Sequence, residues 1–188
     1  MTQLSPDDEF DASLVARALA GDDLAFAEIV RRHQARAARV AFGICGSTQE
    51  AEDAVQEAFV KAHAALHRVR PDLPLRPWMM QIVANTARNR RRSIGRRERA
   101  HERARAAEPV PFAGPAEETA LAQLGDRPLW AALERLSARD RRVLALRYLA
   151  ELSEAETAAA LGVAAGTVKS RTSRALGRLR AILEEEQR

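Results

Sequence analysis

Cysteine, aromatic residues and long apolar runs are all scarce in this 188-residue sequence, and each scarcity closes off a class of protein. Cys45 is the only cysteine, which excludes an internal disulfide and a cysteine-rich zinc site; its place beside Phe42, Gly43 and Ile44 reads as ordinary burial. Aromatics make up only 4% of residues, so the 46% apolar fraction is carried by Ala, Leu and Val; with nine glycines and scattered prolines, this favours helices over a sheet. No run approaches the roughly 18 apolar residues that a membrane span needs. The start, Met1 to Asp11, is acidic and lacks the basic and apolar parts of a secretory signal, so the cytoplasm is the expected compartment. No glycine-rich phosphate loop, nucleophile elbow or convincing acid pair occurs, and no enzyme is expected. His63 and His67 stand one helical turn apart, but a Glu base and a third ligand are missing, so neither a metal nor any other cofactor is expected.

Charge is plentiful, with 30 basic residues against 26 acidic ones, and its placement says more than the net +4. Asp7, Asp8, Glu9, Asp11, Asp22, Asp23 and Glu28 outweigh Arg17 in the opening stretch, and Glu50, Glu52, Asp53 and Glu57 form a second acidic group. From Arg88 to Arg105 the sign reverses, with nine arginines facing only Glu98 and Glu102. Such a block suits a polyanion, since each neutralised phosphate releases condensed counterions. A solvated charged helix running into a linker is the other reading of the same run.

Periodicity divides the chain. After an acidic segment and first helix over 1–20, Asp22 and Asp23 open a helical spacing through Phe26, Ile29, Val30, Ala37, Val40 and Ala41 to about Ile44. Ser47-Thr48-Gln49-Glu50 reads as a capping box. The helix it opens has an apolar stripe of Ala51, Ala54, Val55, Ala58, Phe59, Ala62 and Leu66, leaving Asp53, Gln56, Glu57 and Lys61 opposite. Pro71, Pro74 and Pro77 make a loop, and Pro77 suits the first turn of the next helix. On that helix Trp78, Ile82, Val83 and Ala87 mark a packed face, while Asn85, Arg88, Asn89 and Arg92 mark another. Periodicity fades from about Arg96 to Asp126, where Pro109, Pro111, Gly114 and Pro115 predict a linker. It resumes with Leu129, Leu133 and Leu136, then Ser137 as a cap and Val143, Leu144, Leu146, Arg147 and Tyr148. The expected fold is therefore all-α: two small helical domains, 21–97 and 126–188, joined by a flexible linker over 98–125.

The C-terminal domain carries the clearest motif. Ser153-Glu154-Ala155-Glu156 is a capping box that opens a short helix ending at Leu161-Gly162; a second helix runs from about Ala165 to Leu183 on the stripe Val168, Thr172, Ala175, Leu176, Leu179 and Leu183. Gly162-Val163-Ala164 between them has the helix-turn-helix form, with glycine in the left-handed turn and Val163 filling the angle. Thr167 and the backbone N–H groups beside it suit a phosphate, and Lys169, Ser170, Ser173 and Arg174 point away from the stripe toward a groove. An exposed helix on a bundle is the plainer alternative.

Gly166-Thr167-Val168-Lys169-Ser170-Arg171 with Arg174, following Leu152-Ser153 and Glu156, resembles the fourth conserved region of bacterial sigma factors of the sigma-70 family, extracytoplasmic function (ECF) type. Ala51-Glu52-Asp53-Ala54-Val55-Gln56-Glu57-Ala58-Phe59 resembles the second region, and Pro77-Trp78 through Asn85 and Arg91-Arg92 its promoter-melting helix. The resemblance spans about 22–93 and 129–183 in the family's order. It implies that Asp53, Gln56 and Glu57 dock on the clamp helices of the RNA polymerase largest subunit. It implies that Asn85, Arg88, Asn89 and Arg92 lie near the −10 element, with the Arg70 to Arg76 loop, Arg76 included, helping to hold an extruded base. It implies that Thr167, Lys169, Ser170, Arg171, Ser173 and Arg174 read or clamp the −35 element and that Arg147 touches its phosphates. Promoter DNA, core polymerase and an anti-sigma factor are the partners it implies, with one copy in the holoenzyme.

Asn89 stands where the family usually has Asp, and Thr157 where it usually has Ile. Trp78 is the only aromatic of the melting helix, so the paired wedge of primary sigma factors is absent and Trp78 is expected in the core. A stand-alone regulator with a similar helix-turn-helix is the competing function. It would dimerise and bind two half-sites spaced by a helical turn.

Overall fold

The computed structural model describes residues 6–70, 73–105 and 127–186, with backbone alone at 98–105 and 127. Among them every regular element is helical. An N-terminal unit comprises α1 (Pro6–Leu19), α2 (Asp23–Cys45), α3 (Thr48–Ala65), a 3₁₀ turn at Leu66–Arg68 and α4 (Leu75–Arg105). A C-terminal unit comprises α5 (Arg127–Arg135), α6 (Ala138–Leu144), a π-helical turn at Ala145–Leu149, α7 (Glu154–Leu161) and α8 (Ala165–Glu186).

Helix starts follow side-chain chemistry. Asp22 caps α2 by accepting from Leu24 N and Ala25 N, Ser137 caps α6 through Asp140 N, and Ser153 and Glu156 complete the reciprocal box that opens α7. The box expected at α3 does not form. Ser47 occupies the cap position without a side-chain bond, and the Glu50 carboxylate, which in the box would accept from Ser47 N, is held by Arg90 Nε at 2.9 Å.

The α2–α3–α4 bundle closes over small residues. Ala37, Ala41, Ala51, Ala54, Ala58, Ala62, Ala84 and Ala87 are all at 0% exposure, which lets three helices approach closely around Ile29, Met79, Met80 and Val83. Met79 and Met80 are fully buried on α4; Trp78, expected in the core, lies at its edge, half-buried. The α4 helix runs to Arg105, eight residues into the expected linker. That stretch consists of Arg, Glu and Ala with one His, mostly strong helix formers, so propensity carries the helix past the point where its apolar stripe ends. Pro71, Pro109, Pro111, Gly114 and Pro115 lie outside the described residues.

In the C-terminal unit α8 packs through Val168, Thr172, Ala175, Leu179 and Ile182 against Leu133, Leu136, Val143 and Leu144. This 4-3-4-3 spacing leaves Leu176, expected on the stripe, one residue off the seam and 39% exposed, and brings in Ile182. The core of the N-terminal unit extends into the C-terminal one: Ala145, Leu146, Ala150 and Leu152 are buried in it beside α2 and α4 residues.

Candidate nucleic-acid and polymerase interface

The acidic face of α3 is organised by a single cation from α4. Arg90 donates Nε to Glu50 Oε2 at 2.9 Å and Nη2 to Asp53 Oδ2 at 2.7 Å, and its Nη1 stands 3.8 Å from Glu57 Oε2. Lys61 holds Glu57 from the next turn at 2.6 Å. Even so, the Asp53 and Glu57 side chains keep 47% and 43% of their surface, and Gln56 is exposed between them, so the face remains available to a basic partner. Val60, 71% exposed, extends the same face by one turn.

On α4 the basic residues separate into structural and available ones. Arg91 donates Nη1 to the carbonyls of Ile44 and Cys45 at 3.0 and 2.8 Å, capping the C-terminus of α2 where helix carbonyls lack partners. Cys45 lies against this contact; burial pushes its thiol up to about 11, with Glu50 adding to the shift. Asn89 and Arg92 are exposed, whereas Asn85 and Arg88 are half-buried. The reason is the C-terminal unit: Arg142 of α6 donates Nη2 to Asn85 Oδ1 at 2.7 Å. Arg76, at the start of α4, faces Glu156 of α7 at 3.6 Å.

The helix-turn-helix has the local geometry its sequence requires. Gly162 takes φ 66°, ψ 41°, a left-handed conformation that costs a side-chain-bearing residue about 1 kcal/mol, and its N–H closes α7 onto Ala158 and Ala159. Val163 packs half-buried on the C-terminal core. Lys169, Ser170, Ser173 and Arg174 are exposed, Thr167 and Arg171 half-buried. Ser170 Oγ donates to Thr167 O at 3.2 Å, and Arg174 Nε donates to Ser170 O at 3.1 Å, which lays its guanidinium along the helix. Arg147 donates Nη1 to the Leu152 carbonyl and thereby ties the π turn to the entry of α7.

The structure thus brings together three surfaces: an acidic one on α3, a polar and basic one on α4, and a basic one on α8. A chain with this order of surfaces has a counterpart in known proteins. Sigma-70 region 2 matches residues 29–97 and Sigma-70 region 4 matches residues 126–179. The chain belongs to the sigma-70 family, ECF group. The ECF RNA polymerase sigma factor SigM of Mycobacterium tuberculosis is 36% identical over 92% of this chain and 84% of its own length. The RNA polymerase sigma factor CnrH of Cupriavidus metallidurans is 32% identical over 97% and 98%. A structure of CnrH in complex with the cytosolic domain of CnrY superposes with TM-score 0.72 and 28% identity, covering 94% of this chain and 98% of that one. The sigma factor RpoE of Bartonella quintana, in complex with the anti-sigma factor NepR, gives TM-score 0.65 and 27% identity over 85% and 96%.

This sigma factor therefore directs RNA polymerase in transcription initiation, and the dimeric stand-alone regulator is set aside: such a regulator has no need of a region 2. Sequence reasoning missed two residues of the site. Arg90 and Arg142 each act across helices distant in sequence, 40 and 57 positions from Glu50 and Asn85, where no local spacing gives a signal.

Proposed function

We propose that the three surfaces divide the initiation task as follows. Asp53, Gln56 and Glu57 dock region 2 on the basic clamp helices of the polymerase largest subunit, with Arg90 keeping the carboxylates aligned rather than neutralised. Asn85, Arg88, Asn89 and Arg92, with Arg76, engage the −10 element as it opens. Lys169, Ser170, Arg171, Ser173 and Arg174 read or clamp the −35 element, Thr167 holds a phosphate at the helix start, and Arg147 approaches the neighbouring backbone. Base contacts by such residues specify, while phosphate contacts position.

The observation that carries this reading is the exposure, in one chain, of an acidic α3 face and a polar, basic α8 face on a glycine-closed helix-turn-helix. The sigma factor acts without catalysing a reaction of its own, in the cytoplasm where polymerase is found; no described helix is long and apolar enough to cross a membrane. An anti-sigma factor regulates it, as the complexes of CnrH with CnrY and of RpoE with NepR suggest by likeness. The test is transcription in vitro with core polymerase on a fragmented genomic library. Start sites should share two motifs about two helical turns apart and should vanish without the protein; starts with no shared upstream motif would overturn the assignment of α8.

A further inference from the structure

Four guanidiniums converge on a cleft of about 190 Å³ at the seam where the C-terminal unit meets α4. Arg88 comes from α4, Arg139 and Arg142 from α6 and Arg171 from α8; Ala138, Val143 and Leu161 complete the walls, and no carboxylate lines the space. A water molecule takes about 30 Å³ in the liquid, so the cleft has room for a small oxyanion. Apolar packing elsewhere on the seam brings these cations together: the Phe42 and Trp130 rings meet edge to face at 4.7 Å, and Leu149 lies against Gly43. Pairing within the chain leaves their charge uncompensated. Arg142 donates to the neutral amide of Asn85 at 2.7 Å and Arg88 to that of Asn89 at 3.5 Å, while Arg139 and Arg171 have no hydrogen bond or ion pair among the described residues. Asp140, beside Arg139 in sequence, is taken by Arg178 at 2.6 Å. The Nε atoms of Arg88 and Arg142 are buried without an acceptor. Burial, and then the charge of Arg88, holds the Arg142 guanidinium below its usual range. Buried donors without acceptors and like charges without a counter-charge are two costs that one bound anion removes together.

We propose that this cleft is a phosphate site: a terminal phosphate dianion, free or at the end of a nucleotide, sits among Arg88, Arg139, Arg142 and Arg171. Guanidinium suits that ligand because its planar fork makes two parallel charge-assisted hydrogen bonds to one phosphate. The apolar walls strengthen each contact by keeping the local dielectric low. Arg139 and Arg171 also line a second cavity of about 690 Å³, with Arg135, Arg174 and Arg178 around it and Ile182 beside them. A nucleotide anchored by its terminal phosphate extends into that cavity; a free phosphate leaves it to solvent. An internal phosphodiester of DNA fits less well, since it carries one charge instead of two and needs two exits from a cleft walled by both units. The site stands whether or not Arg88 and Arg171 also meet promoter DNA.

Isothermal calorimetry of the full chain with inorganic phosphate, at constant ionic strength and mildly alkaline pH, tests the site. Saturable binding of one phosphate per chain is expected, together with a higher Tm in phosphate than in sodium chloride of equal ionic strength. Arg139→Gln, at an exposed position whose charge the fold does not use, should weaken phosphate on the order of tenfold, the worth of one charge-assisted hydrogen bond. Arg135→Gln, which borders only the larger cavity, should leave phosphate affinity unchanged. Arg88→Gln separates crowding from binding: it removes one of the like charges, so its Tm in chloride should match or exceed that of the wild type, while the gain from phosphate disappears. A nucleoside 5′-diphosphate that binds more tightly than inorganic phosphate assigns the site to nucleotides, and equal affinities assign it to the free ion. The site is overturned by any of three results: no saturable binding, phosphate affinity unchanged in both Arg139→Gln and Arg88→Gln, or competition as strong from a dinucleotide with no terminal phosphate.

Discussion

Replacing Asp11 by Ala should cost this sigma factor about 3 kcal/mol. Asp11 lies on α1, 3% exposed, and its carboxylate accepts from Arg32 Nε at 3.0 Å and from His33 Nε2 at 2.9 Å. His33 is itself only 4% exposed, so truncation strands a buried donor, a loss of about 1–3 kcal/mol. Arg32 keeps a quarter of its side-chain surface, a contact to Asp7 at 3.3 Å and the face of the Phe10 ring, so its share is that of a partly exposed pair, about 0.5–1 kcal/mol. Urea unfolding followed by circular dichroism at pH 7 measures the sum, and a fall in Tm of roughly 6–12 °C should accompany it at this chain length. Burial acts to raise the Asp11 carboxyl, but the hydrogen bonds and charges of His33 and Arg32 outweigh it and hold the group below the usual range. A depressed folded value means that this stability is present above the unfolded aspartate value, about 3.9, and is lost as pH falls through the folded one. The gap between wild type and Asp11→Asn should therefore close as pH drops below about 4. An Asp11→Ala protein within about 0.5 kcal/mol of wild type would refute the argument, since a buried charged acceptor cannot be removed from two donors at so small a cost.

Thr157 is fully buried and its hydroxyl has no partner among the described residues, so Thr157→Val should raise stability by about 1 kcal/mol in the same urea assay; a loss would mean the hydroxyl is bonded after all. Arg174→Ala should lower discrimination between promoter and mutated −35 duplexes by about tenfold, the worth of roughly 1–3 kcal/mol for a bidentate base contact; an equal loss on every sequence in a shift assay would make Arg174 a phosphate contact. Asp53→Ala with Gln56→Ala should weaken core polymerase binding at least fivefold by fluorescence anisotropy while leaving duplex binding by the full chain unchanged; unchanged polymerase affinity would move the docking face elsewhere on region 2.

Local patterns made most of the helices legible. A cap such as Asp22 or Ser153 acts within three residues, and an apolar stripe repeats within two turns, so both are written in adjacent sequence. Several of the failures share a source, competition from a distant partner. Ser47-Thr48-Gln49-Glu50 satisfies the capping-box pattern, yet Arg90, forty positions away, takes the glutamate. Asp11 is one acid among several in an acidic start, with no local mark of its own, yet α1 folds back on α2 and buries it against Arg32 and His33. The π turn at Ala145–Leu149 has no propensity signature; it inserts one extra residue into the helical ladder where the units meet and places Leu149 against Gly43.

The same competition explains why the three surfaces could be read from sequence while their relation could not. Each surface is the polar side of one amphipathic helix, fixed as soon as the apolar side is known. The seam is assembled from Gly43, Phe42 and Asn85 on one unit and Trp130, Arg142 and Leu149 on the other, and none of these breaks the pattern of its own helix. Gly43 is the nearest to a local signal, because a glycine inside α2 gives up about 1 kcal/mol relative to alanine and so calls for a close neighbour to justify it. That neighbour is Leu149, more than a hundred residues along the chain. Packing of Phe42, Trp130 and Leu149 thus holds the seam together against the crowding of Arg142 by Arg88.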